Sequence, residues 1–112
     1  MPHIDFLIKQ NDTSPSLEGI CRDGRRRPVD LTGATVVFNM RSLPGGAVKV
    51  NGGTMGAVGL ATRGRQKYSW AAGDVDTAGT FEGEVQATFS NGAIRTFPPD
   101  GYITIEITDD IA

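Results

Sequence analysis

The sequence predicts an all-β domain of about seven to nine short strands, arranged as a sandwich or a small barrel. Three observations carry this expectation. Apolar residues recur with a period of two almost everywhere, most clearly where Phe81, Gly83, Val85, Ala87 and Phe89 alternate with Thr80, Glu82, Glu84, Gln86 and Thr88. Clusters of turn-forming residues return at intervals of about 8 to 12 residues. No apolar stripe of helical period is long enough to pack a helix against anything, and no internal repeat is present.

In chain order, Ile4, Phe6 and Ile8 alternate with Asp5, Leu7 and Lys9 as an opening strand, and the polar run Asn11 to Pro15 turns the chain. Leu17, Gly19 and Cys21 share the inward phase of a second strand, with Ser16, Glu18, Ile20 and Arg22 opposite. Asp23-Gly24 opens a turn that continues through Arg25, Arg26 and Arg27, and Pro28 blocks a continuing ladder. Asp30-Leu31-Thr32-Gly33 is a second tight connection. Ala34, Val36, Phe38 and Met40 then form one face of a clear strand.

From Leu43 to Arg65 the pattern weakens, and seven of the 15 glycines lie between Gly45 and Gly64. Glycine is costly inside strands and useful at bulges. This stretch reads as short strands at Ala47–Val50 and Ala57–Thr62 joined by turns, the region most open to shaping by a partner. Gln66 to Trp70 resumes the alternation, with Tyr68 and Trp70 on one face. Ala72 to Gly79 is a corner with one helical turn at Asp74–Thr77. After the long strand that ends at Phe89, Asn91-Gly92 signals a hairpin in which both turn residues take positive φ. Its returning strand runs from Ala93 to Phe97. The last strand, Tyr102 to Thr108, points Ile103, Ile105 and Ile107 inward. Phe38, Trp70, Phe81, Val85, Phe89, Ile103 and Ile105 are expected to share one core.

A chain of 112 residues suits one domain and one two-layer core. With 11 basic and 13 acidic residues it lacks the positive field that wholesale nucleic-acid binding needs. No stretch approaches the roughly 20 apolar residues of a membrane helix, and the opening Met1-Pro2-His3-Ile4-Asp5 lacks the layout of a signal peptide. A single cysteine, Cys21, leaves no internal disulfide, which suits cytoplasmic synthesis.

Candidate chemistry is thin, and no catalytic site, cofactor or bound metal is expected. Cys21 needs a base to act as a nucleophile, and the one histidine is His3. Asp74 and Asp76 could offer oxygens to calcium but lack the dense acidic set of a calcium loop. Glu82 and Glu84 share a strand face at roughly 7 Å, within glycosidase range, yet that face reads as the wet side of the strand. The glycines match no phosphate-binding pattern. Arg22, Arg25, Arg26 and Arg27 form the one dense basic patch. Arginine forks suit carboxylate partners, and no aromatic platform for nucleic acid is interleaved. Tyr68 and Trp70 could form a sugar-binding face. Arg25, Arg26 and Arg27, with the edge residues Ile4, Phe6 and Ile8, are the candidate contacts to a partner protein.

The ordered segments Asp30-Leu31-Thr32-Gly33-Ala34-Thr35-Val36-Val37-Phe38, Tyr68-Ser69-Trp70, Asp74-Val75-Asp76-Thr77-Ala78-Gly79-Thr80-Phe81-Glu82-Gly83-Glu84-Val85 and Thr96-Phe97-Pro98-Pro99-Asp100-Gly101-Tyr102-Ile103-Thr104-Ile105 resemble the N-terminal domain of phage baseplate upper proteins. The resemblance runs from about Ile4 to Ile107. It implies an immunoglobulin-like antiparallel β-sandwich and attachment within a virion by protein–protein contacts, without catalysis. Many members continue into helical or fibre-like segments, so the chain resembles the attachment domain alone. Phe81, after the corner, lacks the hydroxyl that closes the tyrosine corner of immunoglobulin sandwiches.

The function expected on this basis is that of a bacteriophage structural protein of tail, baseplate or neck. It would be present in several copies in a symmetric assembly with other virion proteins, with no nucleic-acid or membrane partner. The alternatives are a capsid decoration protein and a carbohydrate-binding module for host adsorption. Burial of Trp70 separates the last from the others.

Overall fold

The computed structural model describes residues 4–43 and 46–111; His3 lies outside them. Nine strands form within these residues: β1 (Phe6–Lys9), β2 (Leu17–Ile20), β3 (Thr35–Ser42), β4 (Val48–Thr54), β5 (Gly56–Ala57), β6 (Arg65–Tyr68), β7 (Gly79–Thr88), β8 (Ile94–Phe97) and β9 (Ile103–Thr108). The all-β expectation holds.

The larger sheet runs β1-β9-β7-β3-β4, with β8 also paired to β7, and the smaller runs β2-β6-β5. The order β9-β7-β3-β4 over β2-β6-β5 is the G-F-C-C′ and B-E-D order of a variable-type immunoglobulin sandwich. One pairing departs from the antiparallel expectation. β1 lies parallel to β9, with Phe6 opposite Ile105 and Ile8 opposite Ile107, so the larger sheet is mixed.

β7 organises the larger sheet because it is the longest strand and its alternation is unbroken. Phe81, Gly83, Val85 and Ala87 are buried while Glu82, Glu84 and Gln86 are only partly so. It pairs with β3 from Thr35↔Thr88 to Ser42↔Phe81. On its other side the first half pairs with β9 and the second half with β8. Phe38, Trp70, Phe81, Val85 and Ile105 are buried together, and Phe89 and Ile103 pack against them half-buried. Five of the seven expected core residues are therefore buried together and two lie at the margin, and the core also takes in Ile8, Leu17, Leu31, Val36, Met40, Tyr68, Val75 and Ile107.

Several connections differ from the sequence reading, each for a local reason. The hairpin at Asn91-Gly92 exists, but positive φ falls on Gly92 (88°) and not on Asn91. Gly92 N–H donates to Phe89 O at 2.8 Å and Phe89 N–H to Ala93 O at 2.8 Å. This is a three-residue loop with a glycine bulge, and the Asn91 side chain accepts from Ala93 N–H at 2.9 Å. The corner after β6 holds a hydrogen-bonded turn, Asp74 N–H to Ala71 O at 3.1 Å, and no helical turn at 74–77. The one helical turn among the described residues is a 3-10 turn at Ala61–Arg63, where a strand had been expected.

The glycine-rich stretch forms a longer strand than its composition suggested. β4 continues to Thr54 with register shifts against β3, as a bulged edge does. Gly53 fits there because a Cβ would stand 2.5 Å from the Tyr68 ring. The Tyr68 hydroxyl donates to Asp74 Oδ2 at 2.5 Å, and Ala71 N–H donates to the same oxygen at 2.8 Å. The corner that Phe81 cannot close is thus tied from the other side, by a tyrosine on β6.

Candidate functional site

The arginine patch is a built hairpin. Asp23 N–H donates to Arg27 O at 2.9 Å, Arg26 N–H to Asp23 O at 2.9 Å, and Val29 N–H to Cys21 O at 2.9 Å. Arg22 and Pro28 form the bridge below the turn, so Pro28 closes this ladder instead of preventing it. The Asp23 carboxylate holds the loop from inside. Its Oδ1 accepts from Arg25 N–H at 2.8 Å and Arg27 N–H at 3.0 Å, and its Oδ2 from Arg27 Nε at 3.2 Å. The Arg27 N–H bond is the main cause holding the Asp23 carboxyl below its usual range, with the Arg25 N–H and the Arg27 charge adding to it. The turn therefore keeps its staple at any pH at which ordinary carboxylates are ionised.

Arg25, Arg26 and Arg27 are all exposed. Asp23 engages Arg27, whereas the guanidinium groups of Arg25 and Arg26 have no ion pair among the described residues. Arg26 occupies the left-handed position of the loop, at φ 64°. A non-glycine residue there costs roughly 1–2 kcal/mol. Arg26→Gly is therefore expected to raise stability by about 0.5–1 kcal/mol, after the glycine entropy cost is subtracted. Urea denaturation checks this, and a loss of stability would show that the Arg26 side chain itself supports the turn.

The other candidates separate clearly. Ile4 is exposed, Phe6 half-buried and Ile8 buried. Phe6 packs on Trp70 with ring centroids 5.7 Å apart. Phe6 and Ile8 thus belong to the core, and β1 offers a partner its outer main-chain edge and the exposed side chain of Leu7. Tyr68 and Trp70 are buried, and Trp70 Nε1 donates to Pro15 O at 3.1 Å. They present no exposed platform for a sugar ring, which removes the observation on which the carbohydrate-binding alternative rested. Glu82 is held by Arg41, which also lies over the Tyr102 ring. Asp76 is held by Lys49 and Asp74 by Tyr68, and no cluster of metal-ligating side chains occurs among the described residues.

Burial pushes the Cys21 thiol up to about 11, so it stays protonated at neutral pH. A thiol-specific reagent at pH 8 is expected to label it slowly in the native chain and rapidly in urea. Because the folded value lies above the unfolded value of roughly 8.5, the linked stability is present below pH 8.5 and lost as pH rises toward 11. Cys21→Ala should flatten that decline; an identical decline in the variant would assign it to other groups.

Between the hairpin and the loop after β8 runs a groove of about 930 Å³, with Gly19, Ile20, Cys21, Arg22 and Arg26 along one side and Phe97, Pro98, Tyr102 and Ile103 along the other. The sequence reading singled out the arginines but not this groove. The signal was present in Gly19, a glycine in the inward phase of a strand, which often marks close approach of another backbone. No protein-family model, curated protein or solved structure matches the chain. No helix among the described residues is long and apolar enough to cross a membrane.

Proposed function

We propose that the chain is a bacteriophage virion structural protein, an attachment module of tail, baseplate or neck that acts through protein–protein contacts and not by catalysis. The observation that carries this reading is the arginine hairpin. Its backbone is stapled by Asp23, which also holds Arg27, Arg25 and Arg26 are exposed, and Arg26 occupies a conformation that glycine would adopt with less strain. Such local strain is a pointer to function. The sequence resemblance supplies the setting, and the edges of the sandwich supply further contact surface. Contact with carboxylates of neighbouring virion proteins, repeated around a symmetric assembly, would use the hairpin for orientation more than for affinity. Each exposed pair contributes only about 0–1 kcal/mol.

The test replaces Arg25, Arg26 and Arg27 with serine and measures incorporation into particles at low and high salt. Reduced incorporation of a folded variant is expected, with the difference shrinking near 1 M salt, where the screening length falls to about 3 Å. Unchanged incorporation in both conditions would leave the arginines as a solvated turn and overturn the reading.

A further inference from the structure

Gln66 is the one buried polar residue among the described residues, 3 % exposed, and it shares the inward phase of β6 with Tyr68. Its carboxamide carries two donors and an acceptor oxygen, and buried groups of this kind are as a rule hydrogen-bonded. The Gln66 side chain has no such partner among the described residues. No fully enclosed side-chain nitrogen or oxygen there lacks a partner, so the Gln66 amide must reach an opening. That opening is the groove, whose wall Gln66 helps to form.

The groove is open at Gly19. This residue stands opposite Gln66 on β2, in the inward phase, and no atom lies within 4 Å of the place its Cβ would take. Among the described residues β2 is also paired on one side only. Cys21 N–H donates to Gly64 O at 2.8 Å, so Leu17 and Gly19 turn their main-chain groups toward β6, whereas Glu18 and Ile20 turn theirs outward along an open edge. An unpartnered amide, a missing side chain and an unpaired edge thus lie in one line across the smaller sheet.

These three features specify an occupant. The edge offers main-chain groups, which an extended peptide pairs by β-strand addition. A residue laid beside Gly19 has its Cα about 10 Å from that of Gln66, two strand spacings away. A glutamine there leans toward Gln66 over the empty position of Gly19, and the two amides meet at about 3 Å; serine and threonine fall short. Carboxamide suits carboxamide, because each donates and accepts once. The rim selects no net charge. Glu18 is paired with Arg65 and Asp23 with Arg27, which sets Arg22 and Arg26 against Asp5 and Asp100. We propose that the β2 edge binds an extended, uncharged segment of a partner protein, added as a strand with a glutamine side chain passing over Gly19 to pair with the Gln66 carboxamide. This contact uses no arginine side chain, so it goes beyond the attachment reading and adds a second site to the hairpin.

Isothermal titration calorimetry tests it with two capped peptides, acetyl-Val-Thr-Gln-Thr-Val-amide and the same peptide with leucine at its centre. The unmodified chain should bind the glutamine peptide at least tenfold more tightly than the leucine peptide. Gln66→Leu should reverse that preference, because an apolar wall then meets the apolar side chain, and a merely structural role for Gln66 would not reverse it. Gly19→Val fills the gap from within β2 and should weaken the glutamine peptide at least tenfold. The comparison of peptides on the unmodified chain stands even if a variant folds poorly. No binding of the glutamine peptide would overturn the proposal and leave Gln66 to water. Equal binding of the two peptides, or binding that Gly19→Val leaves unchanged, would overturn it as well. A chain that fails to bind the peptide yet loses particle incorporation when its arginines become serine would overturn this site and leave the attachment reading in place.

Discussion

Phe38→Ala is expected to remove about 3–5 kcal/mol of folding stability. The side chain is fully buried on β3, an interior strand of the larger sheet between β7 and β4. Its ring centroid lies 5.0 Å from that of Tyr68 and 5.8 Å, edge-on, from that of Trp70. The cost of truncation depends on how far the neighbours can collapse into the space left behind, and here they are tethered. Tyr68 is bound to Asp74 through its hydroxyl and Trp70 to Pro15 through its indole N–H, so collapse would break bonds that are expensive to lose when buried. The void should persist and place the loss toward the upper end of the range. A domain of this size has only about 5–15 kcal/mol in total, so the variant should show a greatly lowered denaturation midpoint with an unchanged slope. A loss below about 1 kcal/mol would mean that the ring cluster is not the centre of the core.

That cluster was legible in the sequence because alternation is a local property. Phe38, Phe81, Val85 and Ile105 declare their face through the polar residues on either side, and one side of each strand must be apolar for the sheets to pack. The hairpin after β7 was legible through Asn91-Gly92, although Asn91 serves it with its side chain and only Gly92 takes positive φ. The parallel pairing of β1 with β9 was not legible. It joins residues a hundred positions apart, and nothing in Phe6–Lys9 distinguishes a parallel neighbour from an antiparallel one. Glycine content misled in the opposite sense. The stretch between Val50 and Ala57 reads as a turn, whereas β4 runs on through it to Thr54 and Gly53 makes room there for Tyr68.

The candidate site was half legible for the same reason. Asp23-Gly24 announced a turn and the arginines its charge, but the left-handed residue is Arg26 and not Gly24. The side chain of Asp23 sets that geometry through bonds to Arg25 and Arg27, a choice that dipeptide preference does not encode. The open edge of β2 depends on which strand fails to pair with it. That is a property of the whole topology, so Gly19 could mark the place without revealing what lies there.

Gly64→Ala is expected to destabilise by about 2–5 kcal/mol, the sum of a left-handed backbone cost of roughly 1–2 and an overpacking cost of roughly 1–3. Gly64 ends the 3-10 turn at φ 73°, where its N–H donates to Ala61 O and its carbonyl accepts from Cys21 N–H. A Cβ there would lie 2.8 Å from Val29 O and 2.9 Å from Cys21 O. Both are main-chain atoms at the base of the arginine hairpin, fixed by the Val29–Cys21 bond, so neither can swing aside as a side chain would. Gly33 provides the control. It has nearly the same φ, 75°, but nothing lies within 4 Å of its absent Cβ, so Gly33→Ala should cost only the backbone component. The excess at Gly64 should also appear locally, as faster tryptic cleavage at Arg25–Arg27, because the variant relieves its clash by loosening the base of that hairpin. If the two substitutions cost the same and trypsin cuts both variants at the same rate, the close approach of the hairpin base to Gly64 is not a constraint in solution.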